Sequence, residues 1–252
     1  MIGVILIYEV TSRLFMVYEA IAASGSSPYI WAYIATALLS GLAYLFLYRV
    51  WDNVPRRFPI IHFFIVSWSA LMYLSFVEGQ TLFSDYVWYM DWIISTPLIV
   101  LALVLTATYK SEGSHYDLIG AAMGLQFMLI VTGIVSQDTA MSADFVGIPV
   151  AFWLGCVWLA GLIYLLWGPF KEIAEQTSHH LAQKYKILAG YISLFFALYP
   201  TAWYLSETVY PEGPAVLGAF ETSLAFVILP FFCKQVYGFL DMYMIHQAGE
   251  EM

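Results

Sequence analysis

The chain alternates long apolar runs with short stretches rich in Gly, Pro and charged residues. Each run has about 20 residues or more, which is the length that an α-helix needs to cross a bilayer. A transmembrane β-barrel would instead show shorter segments of alternating polarity. The pattern therefore predicts an all-α membrane protein, a bundle of seven transmembrane helices. The predicted spans, numbered one to seven, cover residues 28–49, 58–77, 86–109, 117–136, 146–168, 185–206 and 214–245.

The composition supports a membrane protein built as one domain. Of the 252 residues, 62% are apolar and 11% are charged, whereas about 25% of the residues of a soluble domain are charged. Seven spans leave too little chain for a second folded unit, so residues 1–252 are predicted to form a single domain. The net charge of −9 is dispersed and no basic cluster occurs, which excludes nucleic acid as a partner. Cys156 and Cys233 both lie in apolar runs and indicate neither a disulfide framework nor a metal site.

The distribution of basic residues predicts the orientation of the bundle. The connections after spans one, three and five, with their flanks, hold seven Lys or Arg residues, and those after spans two, four and six hold none. Since Lys and Arg are enriched in cytoplasmic loops, we expect the amino terminus outside the cell and the carboxyl terminus in the cytoplasm. The seven basic residues are Arg49, Arg56, Arg57, Lys110, Lys171, Lys184 and Lys186.

The amino-terminal segment, residues 1–24, is apolar but differs from a signal peptide. It has no positively charged start, and Glu9, Arg13 and Glu19 interrupt the apolar run. One helical face is predicted to carry polar residues, as in helices that lie flat on a membrane; it consists of Glu9, Ser12, Arg13, Met16 and Glu19 or Ala20. We expect a short amphipathic helix on the outer surface.

Two ionisable residues fall deep inside predicted spans. Lys234 lies near the middle of span seven, too far from either end for its side chain to reach water. Charges at this depth are costly and usually functional; the lysine is either an ion-paired structural residue or an amine that forms a Schiff base with a carbonyl cofactor. Asp91 in span three has apolar and aromatic neighbours. It would be protonated and bonded to a hydroxyl, or ionised opposite a cation such as Lys234.

A second pair is predicted on the cytoplasmic side of these residues. Asp241 follows Lys234 by seven residues, and His62 precedes Ser69 in span two by the same number. Seven residues are two helical turns, a rise of about 10.5 Å. If Ser69 lies level with Lys234, then His62 and Asp241 share a depth. A lone histidine there is more often structural, but the two together predict a titrating pair.

Three features of spans three, six and seven resemble the microbial rhodopsins. They are the motif Asp-Trp-x-x-Ser-Thr-Pro, the motif Tyr-Pro-x-x-Trp and the lysine in the middle of its helix. The resemblance extends over spans two to seven. It implies all-trans retinal bound to Lys234 as a protonated Schiff base, with Asp91 as the counterion. Residues that it places around retinal are Trp92, Ser95, Thr96, Pro97, Trp153, Phe196, Tyr199, Pro200 and Trp203.

Departures from the outward-pumping pattern of this family are informative. Pro230 stands where such pumps usually have a second counterion aspartate, and Trp88 stands where they usually have an arginine. Losing one anion and one cation together leaves the site neutral. Ala102 replaces the cytoplasmic proton donor, and Phe196 stands where Trp is frequent. The combination looks like the xenorhodopsins, which are described as light-driven inward proton pumps. Its members are His62, Ser69, Trp88, Asp91, Pro230 and Asp241.

The resemblance implies a light-driven transporter rather than an enzyme, with protons as cargo and the lipid bilayer as its surroundings. One alternative is a photosensor that signals through a transducer; another is a transporter or receptor without retinal. Rhodopsins of this fold often form trimers, so a homotrimer is the assembly that the resemblance suggests. The residue that takes up protons on the outside stays open among Glu9, Glu19, Glu207 and Glu221.

Overall fold

The computed structural model describes residues 28–78, 86–137, 144–145, 147–206 and 216–251. The amphipathic helix predicted within residues 1–24 lies outside the described residues. Within the described part, seven helices are long and apolar enough to cross a membrane. The predicted seven-helix bundle is thus confirmed.

The first four helices have almost the predicted bounds. Helix α1 is Pro28–Val50, α2 is Arg57–Val77, α3 is Val87–Ala107 and α4 is Tyr116–Gln137. Each end lies within two residues of the predicted one, because turn residues and charges directly flank these apolar runs.

The fifth and sixth helices meet at a short break instead of a long loop. Helix α5 comprises Val150–Leu165, a π-helical turn Leu166–Phe170 and Lys171–Thr177. Helix α6, His179–Tyr204, follows at once, with the Ser178 side chain accepting a hydrogen bond from the Leu181 N–H at 3.1 Å. The expected ends at residues 168 and 185 were wrong because both helices continue as polar helix beyond their apolar stretches. The start expected at residue 146 was also wrong, since β1 (Asp144–Phe145) pairs antiparallel with β2 (Ile148–Pro149) there.

Helix α7 contains a wide turn in its middle. It consists of Ala219–Pro230, a π-helical stretch Phe231–Val236 and Tyr237–Glu251. It therefore runs six residues beyond the predicted end at residue 245. The wide turn follows Pro230, which has no N–H to donate to the helix, and it contains Lys234.

The helices form a closed ring. Consecutive helices from α1 to α5 pack as neighbours, and α7 closes the ring by packing on α6, α1 and α2. In the most apolar window of each helix, 67% of α3 and 50% of α7 is buried, against 22–39% for the other five. Helices α3 and α7 therefore supply most of the interior, and Asp91 and Lys234 lie on them.

Candidate functional site

An ion pair lies in the centre of the bundle. Nζ of Lys234 contacts Oδ2 of Asp91, and both side chains are completely buried. The Ser69 hydroxyl donates to Oδ2 at 3.0 Å and accepts from Nζ at 3.1 Å. The Tyr33 hydroxyl lies 2.6 Å from the Ser69 oxygen and donates to it, since the single Ser69 hydrogen is used on Asp91. A buried charge pair needs such added hydrogen bonds to offset its desolvation.

Tyr33 was not identified from the sequence. It lies in α1, 36 residues before Ser69, and no local motif marks it. A tyrosine within an apolar run is a weak signal, because the chain contains 19 tyrosines.

Aromatic side chains pack together around Trp88. Trp88 lies one turn before Asp91, and Pro230 one turn before Lys234. The Trp88 ring packs edge-on against Tyr73 at 5.0 Å and lies 6.2 Å from Phe226. The Tyr73 hydroxyl donates to the Phe226 carbonyl and fixes its own ring there. At the two positions where outward pumps carry charges, the protein therefore has uncharged side chains.

A narrow cavity of about 70 Å³ lies among α3, α4, α5 and α6. Trp92 and Tyr199, whose rings meet edge-on at 4.8 Å, form part of its wall. Most of its lining is apolar, which suits a slender apolar ligand. The predicted residues that line it are Trp92, Thr96, Phe196, Tyr199, Pro200 and Trp203.

Three residues predicted to border retinal are not among those that line this cavity. Ser95 and Pro97 are buried in α3 beside the cavity, and the Ser95 hydroxyl donates to the Asp91 carbonyl at 2.7 Å. Trp153 is 40% exposed, and its indole N–H donates to the Phe145 carbonyl at 3.4 Å. One residue turns a helix by about 100°, and the adjacent Phe152, rather than Trp153, lines the cavity.

Phe152 and Gln126 line the cavity but were missed in the sequence. The Phe152 ring stacks on Trp203 at 5.1 Å. The Gln126 amide donates to Thr96 Oγ1 at 2.8 Å, and Thr96 donates to the Trp92 carbonyl at 2.7 Å. A glutamine in the middle of an apolar span was a usable signal, since polar side chains are costly at that depth.

A second acid–base pair lies nearer the predicted cytoplasmic end. His62 Nε2 lies 2.8 Å from Asp241 Oδ2, and both side chains are completely buried. Thr106 donates to the other carboxyl oxygen at 2.7 Å. The structure thus brings His62 and Asp241 together at one depth, as expected. Thr106 was missed, although it lies one turn beyond Ala102 on the inward face of α3.

Close packing separates this pair from Lys234. The Tyr44 hydroxyl donates to the Gln235 carbonyl at 2.6 Å, and its ring lies 5.7 Å from that of His62. Gly238 faces both rings. Polar atoms nearby are also buried without a hydrogen-bond partner among the described residues: His62 Nδ1, Gln235 Nε2 and the Tyr237 hydroxyl.

An apolar layer follows the second pair. Phe58 lies one turn before His62 in α2, and Ile245 one turn after Asp241 in α7. Both side chains are 0% exposed. We call these two residues the apolar layer; along their helices they lie between the second pair and the predicted cytoplasmic surface.

Most of the residues that could take up protons on the outside lie beyond the part of the chain that the structure describes. Glu221 lies in the first turn of α7 and is exposed. Glu9, Glu19 and Glu207 lie outside the described residues.

Comparison with known proteins agrees with these observations. Residues 24–248 match the model of the bacteriorhodopsin-like protein family. Bacteriorhodopsin-I of Haloquadratum walsbyi is 29% identical over 226 residues, which are 84% of this chain and 84% of that protein. Archaerhodopsin-3 of Halorubrum sodomense is 25% identical over 232 residues, 86% of this chain and 84% of that one.

Solved structures give the same result. The crystal structure of the inward H⁺ pump xenorhodopsin is 52% identical, covers 92% of this chain and 99% of its own, and has a TM-score of 0.79. Thermophilic rhodopsin from Rubrobacter xylanophilus shares the fold at 23% identity, with a TM-score of 0.73 and coverage of 88% and 98%. The chain therefore belongs to the bacteriorhodopsin-like family and is a microbial rhodopsin similar to xenorhodopsin, a multi-pass membrane protein and not an enzyme.

Proposed function

We propose that this protein is a light-driven inward proton pump that binds all-trans retinal through Lys234. One observation carries the proposal: two buried acid–base pairs follow each other along α7, with no charged residue at the Pro230 and Trp88 positions. The likeness to the inward H⁺ pump xenorhodopsin at 52% identity supports the same direction.

The cavity residues fit retinal. An apolar slot with aromatic walls begins beside Trp92, the neighbour of Asp91, whose carboxylate holds the Lys234 amine. Such a site suits a long apolar molecule that ends in a carbonyl group able to react with an amine. Bound to Nζ as a Schiff base, retinal supplies light absorption and an isomerisation that turns the N–H bond.

Asp91 and Ser69 hold Nζ charged in the dark. Both oxygens lie at the nitrogen, and burial keeps water from competing for it. Once the N–H bond turns away from Asp91, the cation loses its nearest anion in a medium of low dielectric constant. Nζ then releases its proton.

Asp241, together with His62, accepts that proton. The carboxylate has one oxygen on His62 and one on Thr106, so it is oriented by both neighbours. It lies about 10.5 Å along α7 from Lys234, and the unpartnered polar atoms of Gln235 and Tyr237 lie along that stretch of the helix. Nζ regains a proton from the outside, past Asp91 and Trp88.

The direction follows from the orientation that the basic residues predict, with the amino terminus outside. The Asp241 side of Lys234 is then cytoplasmic. With a negative cell interior, each proton moves down a potential worth about 2.3 kcal/mol per 100 mV. The pump therefore needs no strong change of proton affinity to drive transport.

Illumination of cells that express the protein with added retinal tests the proposal. The medium should become more alkaline in the light, and a protonophore should abolish the change. Acidification would mean outward pumping. A coloured protein that causes no pH change would indicate a photosensor. A colourless protein would show that the chain does not bind retinal.

A further inference from the structure

His246, near the end of α7, lies against the connection between α1 and α2. We propose that His246 is the group that passes the proton from the buried pair to the cytoplasm; this rests on the proposed inward transport. Its surroundings fix its tautomer, orient its ring and place it between a buried acid and an exposed one.

Asn53 fixes the tautomer of His246. The Asn53 amide nitrogen donates to the His246 carbonyl at 2.8 Å, and the Asn53 amide oxygen lies 2.5 Å from His246 Nδ1. Since the amide NH₂ is used on the carbonyl, the oxygen must face Nδ1, and Nδ1 must carry a hydrogen. Nε2 is therefore the ring nitrogen that gains and loses a proton.

Trp51 holds the imidazole in place. The two rings stack at 4.8 Å with an angle of 7° between their planes. With Asn53 on one edge and Trp51 on one face, Nε2 points toward Glu250, whose Oε1 lies 3.5 Å away. If the ring turned Nδ1 outward, it would lose the hydrogen bond to Asn53.

Exposure rises stepwise along this part of α7. The side chains of Asp241, His246 and Glu250 are 0%, 22% and 63% exposed. His246 follows Asp241 by five residues, a rise of about 7.5 Å, and comes directly after Ile245 of the apolar layer. An imidazole suits a release group because it exchanges its proton between pH 5 and 8.

Glu250 is the charged residue that the structure places against the His246 ring. Glu250 faces it from α7, and Asn53 and Trp51 face it from the α1–α2 connection. On that same connection, Asp52 and Arg56 line a separate surface pocket. Glu250 is thus the acceptor that the described residues offer to a proton leaving Nε2.

Flash photolysis with a pH-sensitive dye tests the proposal on the retinal-loaded protein. His246→Gln should leave the colour unchanged and slow proton release into the medium by on the order of a hundredfold. Free imidazole added to the buffer should restore the rate, because it can take over the lost step; a purely structural defect would not respond. The matched control is His180→Gln, which changes an exposed histidine of α6. This variant should release protons at the wild-type rate.

Nitrogen NMR of the ring in darkness gives a second measurement that needs no transport. In the neutral ring Nδ1 should carry the hydrogen and Nε2 should not, because Asn53 accepts from Nδ1. If His246→Gln released protons at the wild-type rate, or if the neutral ring carried its hydrogen on Nε2, the His246 proposal would be overturned while inward transport stands. A wild-type protein without inward transport would overturn both.

Discussion

Gly238 offers a sharp test of how the second acid–base pair is positioned. A Cβ at this residue would lie 2.7 Å from Cζ of Tyr44 and 3.2 Å from Cγ of His62, and it would also contact the Tyr44 hydroxyl. Gly238→Ala must therefore displace one of the two rings. Adding a methyl group to a well-packed interior typically costs about 1–3 kcal/mol.

A matched variant isolates this steric cost. Gly124 also lies within a helix, but a Cβ there would meet nothing within 4 Å. Both alanines gain about 1 kcal/mol of helix propensity, so this gain cancels in the comparison. The free energy of unfolding of Gly238→Ala should therefore be lower than that of Gly124→Ala by about 1–3 kcal/mol.

Unfolding in detergent, followed by loss of the visible colour, measures the difference. Flash photolysis should also show slower proton movement in Gly238→Ala, because a displaced His62 no longer holds Asp241. If the two variants were equally stable and had equal kinetics, then Tyr44 and His62 would not be packed on Gly238 as described, and the reasoning would fail.

Three further substitutions test the roles of the charged residues. Lys234→Ala should give a colourless protein because the amine that bonds retinal is gone, while Lys186→Ala should keep its colour; absorption after adding retinal measures both. Asp91→Asn should shift the absorption maximum because it removes the nearest anion, and an unchanged spectrum would require another counterion. Asp241→Asn should keep the pigment but slow or abolish alkalinisation of the medium, whereas the exposed control Asp117→Asn should not; unchanged transport would take Asp241 off the path.

Much of the site could be predicted because charge is costly inside a membrane. That cost singles out Lys234 and Asp91 without any knowledge of the fold, and their contact is confirmed. Helical spacing then relates His62 to Ser69 and Asp241 to Lys234, and the structure places both sets at matching depths.

Other features depend on information that a single sequence lacks. Tyr33 reaches Ser69 from another helix, and nothing local to Tyr33 reveals which helix it faces. Phe152 and Trp153 are consecutive residues of a helix whose lipid-facing and interior faces are both apolar. The hydrophobic pattern therefore could not show which of the two side chains faces the interior. The polar continuation of α5 beyond Phe170 resembles a loop in composition, since it leaves the bilayer while remaining helical.

The apolar layer has a consequence for the resting cell. A membrane voltage that is negative inside draws protons inward. A continuous path of polar groups through the bundle would therefore let protons leak in and dissipate the proton gradient in the dark. Phe58 and Ile245 offer no lone pair or hydrogen-bond donor in their side chains, and a bare ion cannot cross such a barrier cheaply. We therefore expect these two hydrocarbon side chains to lower proton leak through the bundle in the dark.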